Sequence, residues 1–119
     1  MRPHELRYRE FRADVVGCLE QPALALSRPL CRKPGAKLRL MASFLDGVDL
    51  ATIRLDSHGP RGALTAAHLA GRWGDLKAGV ARLVELQYRD KDAARDEARR
   101  LWRLVRCALA AGDGETWHT

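Results

Sequence analysis

The side chains of this chain most suited to chemistry are its arginines. Of 21 basic residues among 119, 17 are Arg and 4 are Lys, set against 15 acids for a formal charge of +6. A guanidinium is a planar fork that donates two parallel hydrogen bonds to a phosphate and sheds water more readily than an ammonium does, so this bias suits phosphate recognition. Background composition and pairing with surface carboxylates would produce the same total. Distribution along the chain separates the two readings. Residues 1–40 hold nine cations and four anions, residues 41–80 four of each, and residues 81–119 eight and seven. An excess confined to the first third is the pattern of a footprint for an acidic partner, either DNA or RNA or an acidic protein surface. Its densest part is the stretch 28–39, which carries Arg28, Arg32, Lys33, Lys37 and Arg39 without one acid.

A second constellation spans Leu64 to Leu83 and resembles a helix-turn-helix unit. That unit needs a small residue where its helices touch, a glycine where the turn requires positive φ, and an apolar residue where the second helix packs back. Ala70, Gly74 and Val80 stand at those offsets, with Leu69 and Leu83 available for the shared core. The chain departs from the pattern after the glycine, where Asp75 and Leu76 replace an apolar residue and a polar cap. Asp75 is itself a good N-cap, so the second helix is expected to start one residue early. On the groove reading, Arg72, Lys77 and Arg82 are the nucleic-acid contacts, and Arg82 is the sole candidate for a bidentate bond to guanine. The competing reading is an ordinary αα-hairpin whose Ala and Gly serve close packing.

The third constellation lies near the C-terminus, where Arg95, Arg99, Arg103 and Arg106 fall within roughly 80° on a helix turning 100° per residue. Asp92 and Asp96 can pair with Arg95 and Arg99 at three- and four-residue spacing, whereas Arg103 and Arg106 have no acid three or four positions earlier. Arg99, Arg103 and Arg106 therefore join the candidate phosphate contacts. Cations in the last turns of a helix are also favoured by its dipole alone.

Other chemistries find no support. Asp56-Ser57-His58 has the residue types of a hydrolase triad, but adjacent residues point apart, and triads are assembled from distant segments. A turn with local backbone hydrogen bonds accounts for it better. Cys18, Cys31 and Cys107 show no close spacing and read as reduced thiols of an intracellular, cytoplasmic protein. The four histidines are isolated, so no metal site is expected. No phosphate loop or dinucleotide fingerprint is present, and no catalytic residue or cofactor is assigned. No apolar run approaches the ~18 residues needed to cross a bilayer. The opening Met1-Arg2-Pro3-His4-Glu5 has no apolar stretch, so secretion is not indicated.

The elements that position these residues read as helices. Eighteen Leu and 18 Ala, with only two Phe and two Tyr, favour helix over sheet. Pro3 and Glu5 suit a first turn, and Tyr8, Phe11, Val15 and Cys18 or Leu19 mark one buried face. This helix is expected to end near Gln21-Pro22, with a short helical turn over 23–27. A second helix is predicted from Ala36 toward Leu55, with Gly47 inside it. Asp49 could cap a separate piece, and 50–55 could be read as a strand, though helix fits better. Asp56 to Gly62 reads as a loop. Helices follow over 63–71, 75–89 and 90–111, with a turn at Arg72-Trp73-Gly74 and a stop at Gly112-Asp113-Gly114.

The expected fold is all-α, a single domain over 1–112 of about five helices with a helix-turn-helix-like or hairpin unit at 63–89. Residues 113–119 form a tail. Its core is expected from Phe11, Val15, Leu38, Met41, Phe44, Leu45, Leu69, Val80, Leu83, Val84, Leu101, Trp102 and Val105. The expected function is non-enzymatic binding of nucleic acid through the phosphate backbone, as in a DNA-binding regulator. The alternative is a helical adaptor or subunit of a larger protein or ribonucleoprotein assembly, or a homodimer, with Trp117 in the tail as its aromatic anchor.

Overall fold

Pro3 opens the first helix, where its missing N–H removes only a donor that has no intrahelical partner. In the computed structural model, which describes residues 3–50 and 55–114, α1 (Pro3–Val15) runs through a π turn (Val16–Glu20) straight into α2 (Gln21–Leu26). The sequence predicts a stop at Gln21-Pro22, yet the rod continues. A proline inside a helix clashes with the carbonyl four residues back and lacks the bond to it. Here the turn ahead of Pro22 is widened, with the Gln21 N–H reaching back to the Val16 carbonyl, and this accommodates the ring. The wider turn also settles which of two residues faces inward: Leu19 is buried and Cys18 only half-buried.

Four further rods follow: α3 (Pro34–Gly47), α4 (Leu55–Ala70), α5 (Trp73–Arg89) and α6 (Lys91–Asp113), with no strand among the described residues. The helix predicted from Ala36 toward Leu55 stops at Gly47, because Val48 is extended at φ −97° and ψ 128° and its N–H closes the last turn on Phe44. Residues 51–54, and with them part of the choice between helix and strand, lie outside the described residues. The loop expected over 56–62 is instead a kinked helix. Gly59 adopts φ 71°, a value that glycine tolerates without strain, and Pro60 restarts the helix directly after it.

The turn between α4 and α5 is Gly71-Arg72, and α5 begins at Trp73, two residues before Asp75. Tertiary contacts explain the early start: the Trp73 indole N–H donates to the Leu45 carbonyl at 3.1 Å and its ring tilts against Phe44 at 6.2 Å. α6 starts at an Asp90 cap that accepts the Ala93 N–H at 3.0 Å. It runs through Gly112, where the sequence suggests a stop, and ends at Asp113 with Gly114 left-handed at φ 75°.

α6 is the central helix, resting on α2, α4 and α5, while α1 packs on α4 and α3 on α5 and α2. Its close approaches depend on missing side chains. A Cβ on Gly112 would run into Thr65 Oγ1 and lie 2.9 Å from the Tyr8 hydroxyl, and one on Gly79 would lie 2.5 Å from Leu101 Cδ2. One buried cluster joins Val15, Leu19, Met41, Leu45, Leu69, Leu76, Leu101 and Leu109. Of the expected core, Phe44 and Trp102 are half-buried against that cluster, and Val84 is a correction at 49% exposed. Leu76, Val80 and Leu83 already fill the inward face of α5, and Val84 is turned 100° from Leu83.

Candidate nucleic-acid interface

The segment joining α2 to α3 is short and contains Pro29, which keeps Arg28, Arg32 and Lys33 off any helix, while Lys37 and Arg39 lie on α3. Ser27 and Arg28 close the end of α2 through N–H bonds to Ala23, Leu24 and Ala25. Lys33 then takes φ 53° and ψ 55°, the one left-handed non-glycine among the described residues, and its carbonyl accepts the N–H groups of Ala36 and Lys37. This conformation is disfavoured for a residue with a Cβ. It turns the chain sharply at the start of α3, while the Lys37 ammonium binds the Arg32 carbonyl across the same corner. Arg28, Arg32, Lys33 and Arg39 are exposed, Lys37 is half-buried, and none of the five meets a carboxylate within ion-pair distance among the described residues. Leu30, at the tip, is 93% exposed.

Beneath this segment lies a cavity of ≈ 200 Å³ between it, α3 and the α5–α6 corner. Arg28 lines it, as do Lys91 and Arg95 of the first turns of α6. Lys91 is a lining residue that sequence reasoning did not single out. It is more than fifty residues from Arg28, and only packing brings the two together. Arg95 also binds the exposed Asp92, one turn earlier.

The remaining candidates sit elsewhere and in different company. Arg72 donates to the His68 carbonyl at 3.2 Å, Lys77 lies 3.7 Å from Asp46, and Arg82 lies 3.3 Å from the buried Glu97. Glu97 and Asp75 are in turn held by Arg100, through Nε at 3.1 Å and Nη1 at 2.8 Å, and Arg100 lowers the pKa of the Asp75 carboxyl. These four residues form a charge-balanced set between α5 and α6. Ala70 is exposed, and Gly74 lies inside α5 with no positive φ and nothing near its absent Cβ. Two of the three offsets that suggest a helix-turn-helix therefore do not take the parts the unit assigns them. Val80 packs as expected, and so do Leu69 and Leu83.

On α6, Arg99 is 3.4 Å from Asp96, and Arg103 is exposed with no carboxylate partner among the described residues. Arg106 is half-buried and engaged by other groups of the protein, which its spacing does not reveal. Arg103 lies ~18 Å along the helix axis from Lys91, at ~1.5 Å per residue. Trp117 lies outside the described residues.

Two buried acids were also invisible to periodicity. One is Glu97, and Glu20, in the π turn, accepts the Trp102 indole N–H at 3.3 Å and the Gln21 amide at 2.9 Å. The three thiols are unpaired, with burial and then Asp14 pushing the Cys18 thiol up. Among the described residues no three His, Cys, Asp or Glu side chains gather as for a metal, and no helix is long and apolar enough to cross a membrane. Compared with known proteins, the chain matches no family model, no curated protein and no solved structure.

Proposed function

We propose that this protein is a non-enzymatic, nucleic-acid-associated helical protein that grips phosphate backbone with the surface built from residues 28–39 and the start of α6. The observation that carries this reading is the segregation of its cations. Arg72, Lys77, Arg82, Arg99 and Arg100 meet carbonyls or carboxylates of the protein itself, whereas Arg28, Arg32, Lys33 and Arg39 have no carboxylate partner among the described residues; Arg7, Arg9 and Arg89 share that state, but only the 28–39 stretch clusters five cations without an intervening acid, and Arg28 lines one cavity with Lys91. Cations left without acids raise the local potential, and phosphate is the polyanion that guanidinium geometry fits. Arg103 extends the contact along α6. The contacts assigned to this surface are to phosphate, which carries no sequence information, so binding is expected to be independent of duplex sequence. Free thiols accord with a reducing, intracellular setting.

The adaptor reading has one observation in its favour. Val84 and Tyr88, one turn apart on α5, are 49% and 84% exposed, an apolar and an aromatic residue on the same helix flank.

The test is a salt titration of binding to duplex DNA, single-stranded DNA and RNA, with molar mass measured in parallel. Arg32→Ala with Lys33→Ala should weaken binding to every sequence alike. It should also flatten the salt dependence, by ~0.9 in log–log slope for each duplex phosphate that is no longer neutralised. An unchanged affinity and slope overturns the footprint. Absence of nucleic-acid binding together with a stable protein complex favours the adaptor.

A further inference from the structure

The cavity below the α2–α3 connection offers more than charge. Its walls are apolar, formed by Leu26, Leu38, Leu83 and the faces of Pro29 and Pro34, while Arg28, Lys91 and Arg95 add three cations to its lining. A space of ≈ 200 Å³ is somewhat larger than an engineered cavity of ~150 Å³ that takes up benzene. That is too small for a folded peptide element and adequate for a single flat ring system.

We propose that this cavity takes the base of an unpaired nucleotide, with its phosphate held by Arg28, Lys91 and Arg95. The inference rests on the phosphate-binding reading of the same surface and narrows it to single strands and free nucleotides. Three features select this ligand. Proline and leucine walls favour a flat apolar face that leaves water, and the cations beside them require an anion attached to it. A bare phosphate would leave the walls wet. An alkyl anion would fill them but offer nothing to the Gln87 amide and the Cys31 thiol, which also line the cavity, whereas the edge of a base carries donors and acceptors for both. A paired base is held in its stack and can reach the cavity only by flipping out, so a duplex is disfavoured. Arg95 exchanges the exposed Asp92 carboxylate for phosphate, keeping its charge matched.

The experiment compares binding of a labelled oligothymidylate with that of a duplex of equal length, and titrates adenosine monophosphate as the free-nucleotide probe. Alkylation of Cys31 is followed at the same time, with Cys18 and Cys107 as internal references. Wild-type protein should prefer the single strand at least tenfold, and either ligand should slow alkylation at Cys31 selectively. Ala94→Phe, which fills the cavity from α6, should remove that preference by bringing single-strand affinity down to that for the duplex. Cys31→Phe, placed on the connecting segment and not on a helix, should do the same and covers the case in which the α6 variant does not fold. Protection by the oligonucleotide alone assigns the site to strands, and protection by both probes assigns it to nucleotides generally. Equal affinity for single and double strands, weakened alike by Arg32→Ala with Lys33→Ala, overturns the base cavity and spares the phosphate reading. Absence of salt-sensitive binding to either polymer overturns both.

Discussion

The carboxylate of Asp113 accepts the Tyr8 hydroxyl at 2.7 Å, so the last residue of α6 is fastened to the first helix across 105 positions of sequence. Arg12 grips the same carboxylate through Nε at 3.0 Å and Nη2 at 2.7 Å. Arg61 reaches it from α4 at 3.3 Å, donates to the Gly112 carbonyl at 3.0 Å, and lays its guanidinium 4.6 Å above the Tyr8 ring. Three helices thus meet on one anion at the C-terminal end of α6, where the expected tail would begin. The anion sits at the negative end of a helix, an unfavourable place for it, and the two arginines offset that.

Asp113 should make stability depend on pH. Hydrogen bonding from Arg12, then from Tyr8, lowers the pKa of its carboxyl, while burial and the same carboxylate push the Tyr8 phenol up. A carboxyl depressed on folding contributes stability that is fully present above its unfolded value of ~3.9 and is lost as pH falls through the lower folded value. Asp113→Asn should therefore cost about 1.5–3 kcal/mol near neutrality, the usual range for hydrogen bonds to a charged group. The gap from wild type should narrow below pH 4 in thermal melts. A gap that stays constant to pH 2 would show that Asp113 acts only through packing.

The contact between Gly112 and Thr65 predicts a steric effect of known origin. Gly112→Ala should destabilise by about 1–3 kcal/mol, the cost of forcing a methyl into a packed interface. Thr65→Ala removes the atom it strikes, so the double variant should be more stable than the sum of the two single changes implies. Simple additivity in denaturant melts would mean that α4 and α6 shift apart instead.

Lys33 allows charge to be separated from conformation. Asn tolerates its left-handed backbone best among residues with a side chain, so Lys33→Asn should keep or slightly raise the melting temperature while weakening nucleic-acid binding. Lys33→Val, which is β-branched, should lose about 1–2 kcal/mol at the same position. Equal stability of the two variants would indicate that the corner is not held in this geometry in solution.

Arg82 distinguishes an internal ion pair from a base-reading residue. Its guanidinium lies on Glu97, and the pair is partly exposed, so Arg82→Ala should change stability by less than about 1 kcal/mol. Preference among duplex sequences should stay as it was, measured by competition with G-rich and A-rich targets. A changed preference would restore the groove reading.

How far the sequence could be read follows from the range of each interaction. Tyr8, Phe11, Val15 and Leu19 recur at three- and four-residue spacing, and each is buried, because helical periodicity is a local property that any packed helix must express. The same locality made the cationic stretch visible, since Arg28 to Arg39 are neighbours in the chain. Breaks were harder: Gly59 was legible as an interruption, but the helical turn before it was not, and Pro22 looked like a stop because the π turn that relieves it leaves no signature in composition.

By itself, then, the sequence determined an all-α chain, the inward face of α1 and the place of its charge excess. All three depend on residues within one or two turns of each other. Only the tertiary structure decided which arginines are occupied, because Arg82 meets Glu97 across 15 positions, Arg100 meets Asp75 across 25 and Arg12 meets Asp113 across 101. It also exposed Val84, set Gly79 and Gly112 at close crossings, and brought Lys91 to Arg28 around one cavity. Pairings at such separations are set by how the rods pack, which no local period encodes.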